Sequence, residues 1–320
     1  MATPAGGADG PPIVALVGPT GSGKSALALE AADAAGAVIV AVDAFTVYRG
    51  MDIGTATPTA ADRARVPHRM VDVLEVEEEC TVSWFQARAR AAIDEVRAAG
   101  RPALLVGGSG LYLRAVVDAL EFPPTDPDLR PRIEADVAAD PPAAHARLAA
   151  DDPAAAARIE PSNTRRITRA LEVAALTGRP FSSYRTAWED HTSIYPGLRI
   201  VGVHHPPAAL ADRIDARTRQ MLAAGWVGEC RALADRDLSA TAAQAIGYAE
   251  LIAHVRAGGG VVPDDLVDAI AARTRRFAAR QRRWFRRDPR VGWDPPDRAG
   301  DRVVTALAGR GSAHEDRGDT

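Results

Sequence analysis

Lysine is almost missing from this chain. Of its 39 Lys and Arg residues only Lys24 is a lysine. The composition is rich in Ala, Arg, Pro and Gly, and it puts arginine wherever either base serves. The one lysine therefore marks a place where arginine does not serve, because a compact ammonium fits a cradle that a planar guanidinium overfills. Cysteine is scarce too. Cys80 and Cys230 are the only two and lie far apart. That excludes a disulfide scaffold and a zinc site, points to a reducing compartment, and sets the expected location as cytoplasmic. No apolar run reaches the length of a membrane span, so no membrane partner is expected. The opening stretch, MATPAGGADGPP, has neither a basic nor an apolar segment, and residues 1–12 are expected to be a flexible tail rather than a signal peptide. No internal repeat is visible. The net charge of −3 does not advertise a polyanion partner, so any such partner must be sought in local clusters.

What is present is an alternation. Ile13–Val17, Ala37–Val42 and Ala103–Val106 are short apolar blocks, and LRIVGVHH is a fourth. Helix patterns follow the first three, including SALALEAADAAG and a segment stopped by Gly100. Apolar strands alternating with helices predict a parallel α/β sheet, with ligands at the carboxyl ends of the strands. Three turns fall there: 18–25, 43–48 and 107–112. From about Phe122 strand signals vanish and Pro and Gly punctuate helix patterns. The expected organisation is a catalytic core over 13–122 and 197–295, a helical insertion over 123–196, and a loose tail over 296–320.

The first turn reads GPTGSGKS, a phosphate-binding loop comprising Gly18, Pro19, Thr20, Gly21, Ser22, Gly23, Lys24 and Ser25. Its glycines let backbone amides turn inward, the helix N-terminus adds positive potential, Lys24 reaches the outer phosphates, and Ser25 is placed to ligate Mg²⁺. Asp43 ends the second strand, where a carboxylate binds metal or accepts a substrate proton; capping a turn is its plainer role. Ser109 sits in the Gly-flanked turn after the third strand, positioned to bond phosphate or a substrate amine. Arg213 and Arg217, four apart on one helix face, suit a diphosphate clamp, with pairing to Asp212 or Asp215 as the structural alternative. Nine arginines lie between Arg273 and Arg290, with Phe277, Trp284 and Phe285 interleaved and Asp288 the one acid. A smaller cluster holds Arg165, Arg166 and Arg169. Such clusters are either solvated faces or tracks for a nucleic-acid backbone. On these residues alone a P-loop small-molecule or nucleotide kinase and a non-catalytic NTP-dependent RNA-binding protein both fit the core.

The motifs GPTGSGKS, VDAFTVYRGMDIGTATP, VPHRMVDV, LLVGGSGLYLRA, DPDLRPRIE, RITRALEV, IGYAEL and TRRFAARQRRWFRRD occur in that order. Together they resemble the tRNA dimethylallyltransferase family over about residues 13–290. The resemblance implies a P-loop kinase-like core with a helical, tRNA-binding insertion. It implies transfer of a dimethylallyl group from dimethylallyl diphosphate to N6 of the adenosine beside the anticodon, in tRNAs reading codons that begin with U. Within that likeness Asp43 contacts the attacking amine and Ser109 supplies the hydroxyl of the G-G-T/S-x-L-Y turn. Arg130 falls in the tRNA-contacting D-P-x-x-R stretch, and Arg165, Arg166, Arg280, Arg283 and Arg287 fall in further tRNA-contacting regions. The family's D-S-x-Q is here Asp43-Ala44-Phe45-Thr46; the tRNA base contact of its glutamine is beyond the reach of threonine. The expected partners are the tRNA anticodon stem-loop and the allyl donor, with Mg²⁺ as cofactor. The expected state is a monomer, because the basic surfaces need room for tRNA.

Overall fold

All five residues of β1, Ile13–Val17, are buried. Successive side chains of a strand point to opposite faces, so a strand with no exposed residue must be covered on both sides. The computed structural model, which describes residues 10–184 and 190–309, provides that cover. Its sheet contains β1, β2 (Val38–Ala41), β3 (His68–Arg69), β4 (Ala103–Gly107), β5 (Arg199–Val203) and β6 (Val291–Asp294). The order across the sheet is β3-β2-β4-β1-β5-β6, and every pairing is parallel. Val14 and Leu16 face one side, packing with Ala28, Ala31 and Ala32 of the helix Lys24–Ala35. Ala15 and Val17 face the other, packing with Phe85, Ala89, Ile93 and Val96 of the helix Val82–Ala98.

Register decides where the site falls. Val17 pairs with Gly107 across β1 and β4, and Ala41 pairs with Val106 across β2 and β4. Three strands therefore end level, and the turns that follow them open at one edge of the sheet. This is where an open parallel sheet binds its ligand.

The chain divides into two units. One comprises residues up to Asp118 together with those from Ser193; the other is Ala119–Thr192, displacing the expected 123–196 insertion slightly toward the N-terminus. The second unit holds the helices Leu129–Ala139, Pro141–Asp151, Pro153–Ala156 and Thr164–Thr177 around Ile133, Val137, Leu148, Ile167 and Leu171. Two of its helices begin at a proline. Asp140 accepts the amide of Ala143 and Asp152 that of Ala155, each at 3.0 Å, with Pro141 and Pro153 in the first turn.

One expectation is corrected. Residues 296–320 read as a loose tail, yet Pro296–Leu307 form a helix with Ala299, Val303, Ala306 and Leu307 buried against β1, β5 and the helix Lys24–Ala35. Spacing of four, seven and eight from Ala299 is one helical face. Burying Val303 and Leu307 contributes about 1.5–3 kcal/mol each. Residues 310–320 and 1–9 lie outside the described residues. Residues 10–12 are tied to the fold: Pro12 accepts the amide of Ala103 at 3.0 Å, and Pro11 accepts from the Arg97 guanidinium at 3.2 Å. No helix among the described residues is long and apolar enough to cross a membrane.

Candidate active site

The loop after β1 is a tight cradle. Gly21 and Gly23 adopt φ of 81° and 82°, left-handed values that favour glycine. Gly23 offers no side chain to cap the helix Lys24–Ala35, so the amides of its first turn are left to an anion. The cradle is braced from outside. Arg213 donates from Nε to the Gly21 carbonyl at 2.8 Å, and His205 donates from Nε2 to the Ser22 carbonyl at 2.8 Å. Arg217 reaches the Thr20 hydroxyl at 3.5 Å. Neither Arg213 nor Arg217 takes Asp215, which pairs with Arg275 instead. The Ser22 hydroxyl is buried without a partner.

Lys24, Ser25, Asp43, Phe45, Thr46 and Arg217 line one cavity of about 380 Å³. Apolar side chains, among them Met221, Trp226, Ile246, Ile270 and Phe277, share the wall with polar ones such as Thr218, Thr274 and Gln281. Burial, reinforced by the neighbouring Arg217 charge, pulls the Lys24 ammonium down to about 8. Burial pushes the Asp43 carboxyl up, while the Phe45 amide, Lys24 and Arg217 pull it back. The amide of Phe45 donates to Asp43 Oδ1 at 2.9 Å and the Thr46 amide adds a second backbone bond, which together fix the carboxylate. Burial likewise lowers Arg217. A carboxylate raised by burial can take a substrate proton, while Arg217 stays a cation beside it. Ala44 is buried, and the Thr46 hydroxyl is buried without a partner.

Metal holding is limited to hard oxygen donors. Among the described residues no group of three or more His, Cys, Asp or Glu could hold an ion. The exposed Ser25 hydroxyl and the Asp43 carboxylate fit a divalent cation that keeps waters and rests on substrate phosphates.

The turn after β4 is pressed against the helix Asp264–Phe285. A Cβ on Gly108 would meet Gln281 Nε2 at 2.5 Å, and one on Gly110 would meet Trp284 at 1.8 Å. Gln281 is buried, lines the cavity, and accepts the Thr20 amide at 2.8 Å. One residue of the arginine helix thus holds the phosphate loop. Ser109 does not line the cavity; it caps the helix Gly110–Val117 through a long 3.5 Å bond from the Tyr112 amide.

The basic residues divide into two groups. Arg273, Arg275 and Arg290 pair with Glu250, Asp215 and the Asp118–Asp288 pair. Arg276, Arg280, Arg283, Arg286 and Arg287 are exposed along the same helix and just past its end. In the Ala119–Thr192 unit, Arg165 and Arg166 are exposed, whereas Arg169 is held by the fully buried Glu172 at 2.7 Å. Arg130 lies between Glu134 at 3.1 Å and Glu172 at 3.5 Å. Sequence reasoning missed Gln281, Trp226 and His205. Only Gln281 carried a signal, as the one uncharged polar side chain between Arg280 and Arg283.

A parallel core with a phosphate cradle, an ionisable pair and an apolar wall at one strand-end edge defines an enzyme that handles a phosphate ester of an apolar group. Comparison with known proteins gives the family. The model of the IPP transferase family matches residues 46–288, and that of isopentenyl transferase matches residues 11–77. A tRNA dimethylallyltransferase of Kineococcus radiotolerans is 50% identical, covering 89% of this chain and 92% of its own. The crystal structure of a tRNA isopentenylpyrophosphate transferase from Bacillus halodurans is 35% identical, with a TM-score of 0.66 over 93% of this chain and 96% of its own. A eukaryotic dimethylallyltransferase crystallised acting on tRNA is 21% identical and shares the fold, with a TM-score of 0.80 over 95% of this chain and 81% of its own. The chain belongs to the IPP transferase family, the prenyl transferases that include the tRNA dimethylallyltransferases.

Proposed function

We propose that the chain transfers the dimethylallyl group of dimethylallyl diphosphate to N6 of an adenosine beside the anticodon of tRNA. The observation that carries this is the joint lining of one cavity: Lys24, Arg217 and Asp43 share it with Met221, Trp226, Ile246 and Phe277. A nucleotide-hydrolysing site needs no such apolar wall beside its lysine, whereas a short branched hydrocarbon does.

In this reading the diphosphate occupies the 18–25 loop. The C1–O bond of the donor breaks, and diphosphate leaves with the electron pair. Lys24, the loop amides and Arg217 stabilise its developing charge, and Arg213 holds the loop in shape. The N6–C1 bond forms, and Asp43, raised by burial toward the range of a useful base, accepts the proton that N6 releases. The adenine must leave its stack to enter such a cavity. Ser25 would hold Mg²⁺, which supplies further charge neutralisation on the diphosphate. Phe45 and Thr46, with Ala44 behind them, flank the acceptor, and Ser109 serves from the turn after β4 by capping the helix Gly110–Val117. Arg280, Arg283 and Arg287 take tRNA phosphates, as do Arg130, Arg165 and Arg166 in the Ala119–Thr192 unit. The enzyme acts as a cytoplasmic monomer.

The test is incubation with tRNA, Mg²⁺ and either labelled dimethylallyl diphosphate or labelled ATP. Allyl label recovered in the tRNA is the expected result. Phosphoryl transfer or hydrolysis of ATP without allyl incorporation would overturn the reading in favour of a kinase or an NTP-driven RNA-binding protein.

A further inference from the structure

The turn 51–57 is built around a carboxylate from another part of the chain. Glu229, in the first turn of the helix Trp226–Leu233, accepts the amides of Asp52 and Ile53 on Oε2 at 2.8 and 2.7 Å. Its Oε1 accepts the Gly54 amide at 3.3 Å and the Tyr248 hydroxyl at 2.6 Å. Three consecutive amides converging on one anion is the way backbone makes an anion site, and here the anion is the protein's own. The turn closes on itself through Ala56 N to the Ile53 carbonyl at 3.1 Å and Thr57 N to the Asp52 carbonyl at 2.9 Å. It also holds Ala56 at φ 54°, a left-handed value that costs a non-glycine residue about 1 kcal/mol or more.

Trp226 and Tyr248 press on the same turn. A Cβ on residue 54 would meet the Trp226 indole at 2.4 Å and the Tyr248 ring at 2.6 Å. The turn therefore has a clamped side, made by Glu229, Trp226 and Tyr248, and a working side. Gly54, Thr55, Ala56, Thr57 and Pro58 line the cavity that carries Lys24, Asp43 and Arg217. Ala56, Thr57, Pro58, Arg217 and Met221 also border a second cavity of about 670 Å³. Where this wall stands sets the room beside Arg217.

We propose that Glu229 is a positioning residue for the transfer reaction. Through the amides of 52–54 it fixes the wall formed by Gly54–Pro58, and so the fit of the allyl donor. The proposal rests on the transferase reading above. Glutamine at 229 keeps the shape but can offer only one accepting oxygen, and its amide group meets amides that need an acceptor.

The experiment compares wild type, Glu229→Gln, Glu229→Asp and Tyr248→Phe in steady-state transfer, together with thermal unfolding and tRNA binding. Glu229→Gln should lower kcat/KM for dimethylallyl diphosphate about tenfold, the loss of one charged hydrogen bond, mainly through KM. Its tRNA affinity should be unchanged. Glu229→Asp keeps the charge with a shorter reach and should fall between Gln and wild type; Tyr248→Phe removes one of the hydrogen bonds to Glu229 and keeps its charge, so it should raise the donor KM less than Glu229→Asp. If Glu229→Gln does not fold, the order wild type, Tyr248→Phe, Glu229→Asp still has to appear in the donor KM. A folded Glu229→Gln enzyme with wild-type KM, or lowered melting temperature alone, overturns the proposal. Absence of transfer by wild type itself would instead overturn the reading on which it rests.

Discussion

Replacing Gln281 separates two jobs that the structure gives to one side chain. Its Oε1 accepts the Thr20 amide at 2.8 Å in a partly buried setting, while its Nε2 packs on Gly108. Gln281→Ala leaves a partly buried amide without its acceptor and opens a void beside the phosphate loop, at a combined cost of about 1–3 kcal/mol. Loss of about 2 kcal/mol corresponds to roughly thirtyfold in the folded-to-unfolded ratio, readable in urea titration. Gln281→Glu keeps an oxygen for Thr20, so its stability loss should be the smaller of the two. It adds a negative charge to the wall of the cavity that is read as holding the diphosphate, so donor affinity should fall at least tenfold and further than in Gln281→Ala. Calorimetric titration with dimethylallyl diphosphate measures this directly. If Gln281→Glu binds the donor like wild type, the diphosphate does not lie against Gln281, and the placement of the donor in the 18–25 loop is wrong.

Three further outcomes are expected. Asp43→Ala should lower kcat by about 10²–10⁴ in single-turnover transfer while donor affinity is largely kept; wild-type turnover would remove Asp43 from the proton path. The pH profile of kcat/KM should be bell-shaped. Asp43 must be ionised, so activity is lost as pH falls through its raised pKa; Lys24 must be protonated, so activity is lost as pH rises through about 8. A profile flat to pH 10 would contradict the Lys24 assignment. Charge reversal at Arg283 and Arg287 should weaken tRNA binding and flatten its dependence on salt, with donor binding unchanged; unaltered tRNA affinity in filter binding would make these side chains a solvated face only.

Much of the frame was legible because β1, β2 and β4 are uninterrupted apolar blocks and β5 is one after its exposed Arg199, and only a sheet covered on both sides calls for such blocks. The loop at 18–25 and Asp43 were legible because their places at strand ends follow from that frame. β3 and β6 were not. His68–Arg69 is two residues of polar sequence, and Val291–Asp294 is only partly buried, so neither carries a strand's alternation. The last helix was obscured by Pro, Gly and Asp interleaved with its apolar face. In the site, the unreadable residues are those whose meaning is a partner distant in sequence. Glu229 meets an amide 177 residues away, and Gln281 one 261 residues away. The arginine run shows the same limit from the other side. Arg273, Arg275 and Arg290 are structural and Arg283 is exposed, yet nothing in their spacing separates them.

The helix Pro296–Leu307 has a bearing on timing. It covers the face of the helix Lys24–Ala35, whose first residue is the chain's only lysine. A ribosome delivers that lysine long before the helix that supports it. β1 itself waits for β4 and for β5, whose partners lie far along the chain. Long-range parallel pairing of this kind is slow to form. The phosphate cradle is therefore fully backed only once residue 307 has been made, and a nascent chain still short of it has no finished site to offer a passing tRNA.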